Sequence, residues 1–177
     1  MNMNKRIQYF MFVTILFLLL PWTEAYTEDK VFALVEENRS FWDEILKDRL
    51  IKNKNLLYAS FVAYKDRLNE LSIESFQECI NTNSSNEVLR GIANYYIGKN
   101  HFLMGNYQEA ISQFSSIKGI DLSHLNYIKL AALLNSAITY YQLNEIEKCR
   151  EYLQTVINED NTGKYKKKAM AILSQLN

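Results

Sequence analysis

Apolar residues recur along most of this chain every three to four positions, the spacing of one face of an α-helix. The clearest stretch runs from Asn94 to Ile117. Its first half places Ile97, Gly98 and His101 on one face and its second half Ala110, Phe114 and Ile117, with Gly105-Asn106 marking a tight turn between two helices. Gly98 and Ala110 are small where two such helices would approach closely, and Phe114 fills the space beyond them. Ser84 with Glu87 reads as a capping box opening the first helix, which runs through Met104. Gly119 reads as a stop, and Asp121 as the cap of a further helix reaching Leu143. Nearer the N-terminus, between Thr27 and Leu50, residues Val31, Leu34, Val35, Phe41, Trp42, Ile45 and Leu46 share one helical stripe. Ser40 with Asp43 offers a second start there, so this segment predicts one long helix or two short ones, followed by the polar break Lys52-Asn53-Lys54-Asn55. After Gly163, the stretch Lys164 to Leu176 carries Tyr165, Ala169, Ile172, Leu173 and Leu176 on one face, as a closing helix would.

The pattern repeats. Ala110-x3-Phe114 followed by Ile117 recurs upstream as Ser72-x3-Phe76 followed by Cys79. It recurs downstream as Cys149-x3-Leu153 followed by Val156, at offsets of 38 and 39 residues. The preceding helices align in the same register: Ala59, Ser60 and Ala63 match Ile97, Gly98 and His101, and then Ser136, Ala137 and Tyr140. The middle unit, Asn94-x2-Ile97-Gly98-x2-His101 and then Ala110-x3-Phe114, resembles the tetratricopeptide repeat, whose pattern is W-x2-L-G-x2-Y, then A-x3-F, then P over about 34 residues. Trp and Pro are missing here, and His101 replaces Tyr. The extra residues fall in the connections 81–86 and 119–126, where insertions cost least. The resemblance covers about Asn55 to Lys164. It implies an all-α, helix-turn-helix solenoid of about three pairs at 55–177, ending in a capping helix and preceded by a helical segment at 26–54.

Composition agrees with an all-helical body. The one Pro, Pro21, lies before it, and none of the five Gly forms the Asn-Gly or Asp-Gly pair of hairpins. A length of 177 residues suits one domain. Lys plus Arg and Asp plus Glu number 20 each, so charge gives no ground for nucleic acid or an acidic surface as the main partner. At the N-terminus, basic Lys5 and Arg6 precede an apolar run from Ile7 to Leu20, then Pro21 and Thr23-Glu24-Ala25. That run, 14 residues, is of signal-peptide length and short of the roughly 20 that cross a bilayer. Residues 1–25 are therefore expected to be a signal peptide cleaved after Ala25, or alternatively an uncleaved anchor extended through Trp22. Both deliver the body across the membrane.

Candidate chemistry is sparse. No nucleophile motif, phosphate loop or paired-carboxylate site is visible, so neither enzymatic activity nor a cofactor is expected. Cys79 and Cys149 have a whole repeat between them, too far for a bridge that needs Cα atoms within about 7 Å, and read as core packers. His101 and His124 lack partners at ligand spacing, so no metal is expected. The basic run Lys164, Lys166, Lys167 and Lys168 reads as the wet face of the last helix.

In tetratricopeptide-repeat proteins the first helix of each pair lines the concave surface. The resemblance places Leu57, Phe61 and Tyr64 there from the first repeat, Tyr95, Lys99 and Phe102 from the second, and Leu134, Ile138 and Tyr141 from the third. Tyr64, Phe102 and Tyr141 occupy one repeat position three times, an aromatic row suited to an extended or helical peptide. Leu57, Tyr95 and Leu134 replace the charged residues of the versions that grip a C-terminal carboxylate. A second reading folds Val31–Leu46 into this groove and makes it core; the threefold recurrence favours an open groove. The expected function is a non-catalytic adaptor or scaffold that binds another protein. It would act as small exported bacterial-type members of the family do, in the periplasm or otherwise outside the cytoplasmic membrane. The alternative is a structural subunit of an envelope assembly, anchored in that membrane by its N-terminal segment.

Overall fold

The computed structural model describes residues 32–37, 39–47, 51, 53–120 and 125–176. The signal or anchor segment 1–25, and with it Asp121 and His124, lies outside the described residues. From Ala33 onwards the described residues belong to one compact unit. Its helices are α1 (Arg39–Lys47), α2 (Lys54–Lys65), α3 (Asn69–Thr82), α4 (Glu87–Leu103), α5 (Tyr107–Ser116), α6 (Asn126–Gln142), α7 (Ile146–Glu159) and α8 (Lys164–Gln175), with no strand among the described residues. Each helix packs on the next, and α4, α6 and α8 also touch in series. Three hairpins, α2/α3, α4/α5 and α6/α7, therefore stack into a helical-repeat solenoid closed by α8.

The hairpin turns are one structure made three times. Arg67, Gly105 and Asn144, again 38 and 39 residues apart, all adopt positive φ, at 62°, 79° and 59°. The next residue's N–H bonds back to the carbonyl of Ala63, His101 or Tyr140, at 2.9 Å in every case. The turn residue's own N–H reaches Tyr64, Phe102 or Tyr141 at 2.9–3.1 Å. These two bonds define a Schellman ending, which satisfies the last carbonyls of the first helix and reverses the chain.

The seam inside each pair is apolar and close. All nine residues of the recurring trio are buried: Ser72, Phe76, Cys79, Ala110, Phe114, Ile117, Cys149, Leu153 and Val156. Both cysteines are free. A methyl group on Gly98 would sit 2.7 Å from Phe114 Cε1, inside contact distance, so this crossing requires glycine. In the first pair Ser60 stands at the equivalent position, and Ser72 Oγ donates to its carbonyl at 3.1 Å.

Three local expectations change. The cap of α4 is Asn86, whose side chain accepts from Leu89 N at 2.9 Å, and not a Ser84–Glu87 box. Helix α6 begins at Asn126, later than a cap at Asp121 would start it. Above all, Leu34–Glu37 forms neither helix nor strand. Its backbone bonds go to side chains of the repeats instead of to an i−4 ladder, and those tertiary partners override the helical spacing of its apolar residues. No helix among the described residues is long and apolar enough to cross a membrane.

At the other end, Asp160 starts α8. Its carboxylate accepts from the backbone N–H of Thr162 at 2.8 Å, Gly163 at 3.1 Å, Tyr165 at 2.7 Å and Lys166 at 2.8 Å. Burial raises its pKa, but these bonds, with the Thr162 hydroxyl first among them, outweigh burial and hold it at about 2.

Candidate functional site

Helix α4 presents Tyr95 and Lys99 one turn apart, with Tyr96 beside them, and all three are buried. A fully buried ammonium needs compensation. Lys99 Nζ finds it in the non-helical segment Leu34–Glu37, donating to Val35 O at 2.7 Å, Glu37 Oε2 at 2.9 Å and Glu36 Oε2 at 3.2 Å. The Lys99 side chain is 0% exposed and Glu37 5%, whereas Glu36 is 55% exposed. The rings of Tyr64, Tyr95 and Tyr96 also face the ammonium, at 4.9, 5.3 and 5.3 Å from their centroids.

Hydroxyls complete this cradle. Tyr64 donates to Glu36 Oε1 at 2.7 Å, Tyr96 donates to Glu37 Oε2 at 3.1 Å, and Tyr95 makes a short bond to Glu37 Oε1. Burial pushes all three hydroxyls well above the usual tyrosine range, and the facing glutamates push further, so they stay protonated and donate. Trp42 of α1 donates to the Tyr96 oxygen at 2.6 Å and stacks on Phe61 with ring centroids 4.9 Å apart. From α6, Asn135 Oδ1 accepts from Val35 N at 2.8 Å while its Nδ2 donates to the Tyr95 oxygen at 3.2 Å. Lys168 of α8 donates to Ala33 O. Ala33–Glu37 is thus a strap crossing the first helices of successive repeats, from α8 through α6 and α4 to α2. Glu36 and Tyr64 also line a cleft of about 530 Å³ with Trp42, Tyr58 and Val62.

The structure therefore places the expected groove residues unevenly. Leu57, Phe61, Tyr95, Lys99, Leu134 and Ile138 are fully buried and Tyr64 nearly so. Only Phe102 and Tyr141 keep part of their surface, and Phe102 packs on Tyr107 at 5.3 Å. The open apolar groove becomes a covered face with a polar centre. Tyr64, Tyr95 and Lys99 converge on the strap. The cradle holds the side-chain carboxylates of Glu36 and Glu37 through Lys99 and the tyrosine hydroxyls, which is distinct from gripping a C-terminal carboxylate. Sequence reasoning missed Tyr96, Asn135 and the pair Glu36-Glu37. For Asn135 the available signal was its polar amide among apolar neighbours in Ala131–Leu134 and Ala137–Ile138.

A family described as tetratricopeptide repeat matches residues 131–160, from within α6 to the residue after α7. With three helix pairs stacked in the same register, this match supports a tetratricopeptide-repeat protein, and repeats of this class are protein–protein interaction modules. A comparison with curated proteins found no match. No group of acidic, histidine or cysteine side chains among the described residues could hold a metal ion.

Proposed function

We propose that this protein is a non-catalytic adaptor that binds another protein along the concave face, outside the cytoplasmic membrane. One observation supports the choice of face above others: it already engages a non-helical segment through both backbone atoms and side chains, from Ala33 O to Glu37. The location rests on the basic start and apolar run of residues 5–20 alone. Phe102 and Tyr141, the partly exposed members of the aromatic row, are the positions a bound partner would touch.

A photo-crosslinking residue at Phe102 or Tyr141 tests the face. Adducts are expected there and not at exposed Gln154 on α7; adducts at Gln154 with none in the row would reject the concave face. The mass of the mature protein tests the location. A chain beginning at Tyr26 fits a released adaptor, whereas intact Met1 in washed membranes would replace it with the anchored subunit.

A further inference from the structure

We infer that the cradle recognises an extended acidic segment, two adjacent carboxylates preceded by an apolar residue, and that Leu34–Glu37 is the tethered occupant which such a segment of a partner protein displaces. This rests on the concave face being the binding surface, and names what that surface binds.

The chemistry follows from what the helices themselves contribute. With the strap set aside, α2, α4, α6 and α8 present two ammonium groups, Lys99 and Lys168, and the hydroxyls of Tyr64, Tyr95 and Tyr96, beside the Asn135 amide. Tyr165 adds a buried hydroxyl with no hydrogen-bond partner among the described residues, close enough to Glu37 to feel its charge. Such a surface is short of negative charge, and buried donors left unmatched are costly. Carboxylates answer that need. The backbone contacts, to Ala33 O and both polar atoms of Val35, specify a chain whose backbone is free of helical bonds, but not its side chains. Charge complementarity thus selects an acidic strand over a helix or an apolar peptide.

Exchange is the route the geometry favours. Simply removing Glu37 strands Lys99 in a buried position, which is strongly unfavourable, whereas trading one carboxylate for another leaves the ion pair intact. Glu36 is more than half exposed and lines the cleft beside Trp42, so an incoming segment reaches its contacts with Tyr64 and Lys99 first. A tethered segment competes at an effective concentration on the order of millimolar, so a free segment binds the intact protein weakly.

The test uses full-length protein in mild detergent and a fluorescent, end-capped peptide of sequence Ala-Leu-Val-Glu-Glu, followed by anisotropy. The double variant E36Q/E37Q, whose strap has lost its charges, should bind this peptide at least tenfold more tightly than the unaltered chain. A peptide ending Gln-Gln should bind that variant at least tenfold more weakly. Equal binding to both proteins, or none to a variant with unchanged circular dichroism, overturns the inference. Failure here leaves crosslinks at Phe102 free to support another ligand on the same face, so the two readings fail separately. If the double variant does not fold, E36Q keeps the Lys99–Glu37 pair and should still tighten peptide binding severalfold; no gain overturns the proposal. Sedimentation of the unaltered chain as a dimer, lost in E36Q/E37Q, would show that the strap fills a second copy's cradle and would overturn displacement within one chain.

Discussion

Gly98 and Lys99 are neighbours on α4 and meet opposite surroundings. Gly98 faces the seam with α5, where space is the constraint and Phe114 fills it. Lys99 faces the concave side, where charge is the constraint and a segment more than 60 residues away neutralises it. The seam is built by shape between successive helices and recurs in every repeat. The cradle is built by charge between distant parts of the chain and occurs once. Damage to the seam should therefore be repaired by changing volume, and damage to the cradle by changing charge.

Replacing Lys99 tests this most severely. Lys99→Ala leaves Glu37 buried without its partner and should cost roughly 3–5 kcal/mol in denaturant unfolding. Lys99→Met together with Glu37→Met should restore most of that loss. A cost under about 1 kcal/mol would mean that the strap does not cover the ammonium.

On the other side of the helix, Gly98→Ala places a methyl 2.7 Å from the Phe114 ring and should cost about 1–3 kcal/mol. Phe114→Leu in the same chain should relieve it. If removing the strap charges relieved it equally, the two faces would not be independent.

These two residues also show what was legible. The seam could be read because its residues recur at 38 and 39: every buried trio position followed from that register, and of the three turns the one at Gly105 was read directly. Lys99 could be placed on the concave face for the same reason. Its partners could not, because Glu36-Glu37 belongs to no repeat and its neighbours Leu34 and Val35 continue a helical stripe into Trp42 and Ile45. A non-helical segment held by tertiary bonds leaves no periodic trace. Asn135, Asn100 and Thr139, polar residues at buried positions of α6 and α4, were the visible sign that polar partners had to exist.

The capping helix gives a third, smaller test, at a site remote from both faces of α4. Asp160→Asn or Asp160→Ala should cost about 1–2 kcal/mol through loss of the cap on α8. The Asp160 pKa is lowered from 3.8 to about 2, so its contribution is complete above about pH 4 and disappears as pH falls through 2. The gap between the stability curves of the unaltered chain and Asp160→Asn should narrow over that window. Phe102→Ala is expected to have the smallest effect, about 1 kcal/mol, because the ring is half-buried against Tyr107 and not under the strap. A loss near 4 kcal/mol would put Phe102 in the core with Tyr64.

The strap also has a timetable. Val35 meets Asn135 across 100 residues and Ala33 meets Lys168 across 135, whereas the hairpin contacts are local. Local contacts form early and long loops close late. The N-terminal segment leaves the ribosome first, yet its last foothold, α8, is made last. Refolding of a Trp22→Phe chain should accordingly show helix signal rising before Trp42 fluorescence settles against Phe61 and Tyr96. A single shared phase would mean that docking and helix stacking are one event. Each newly made molecule, on this ordering, passes through an interval in which its helices are assembled and its cradle is vacant.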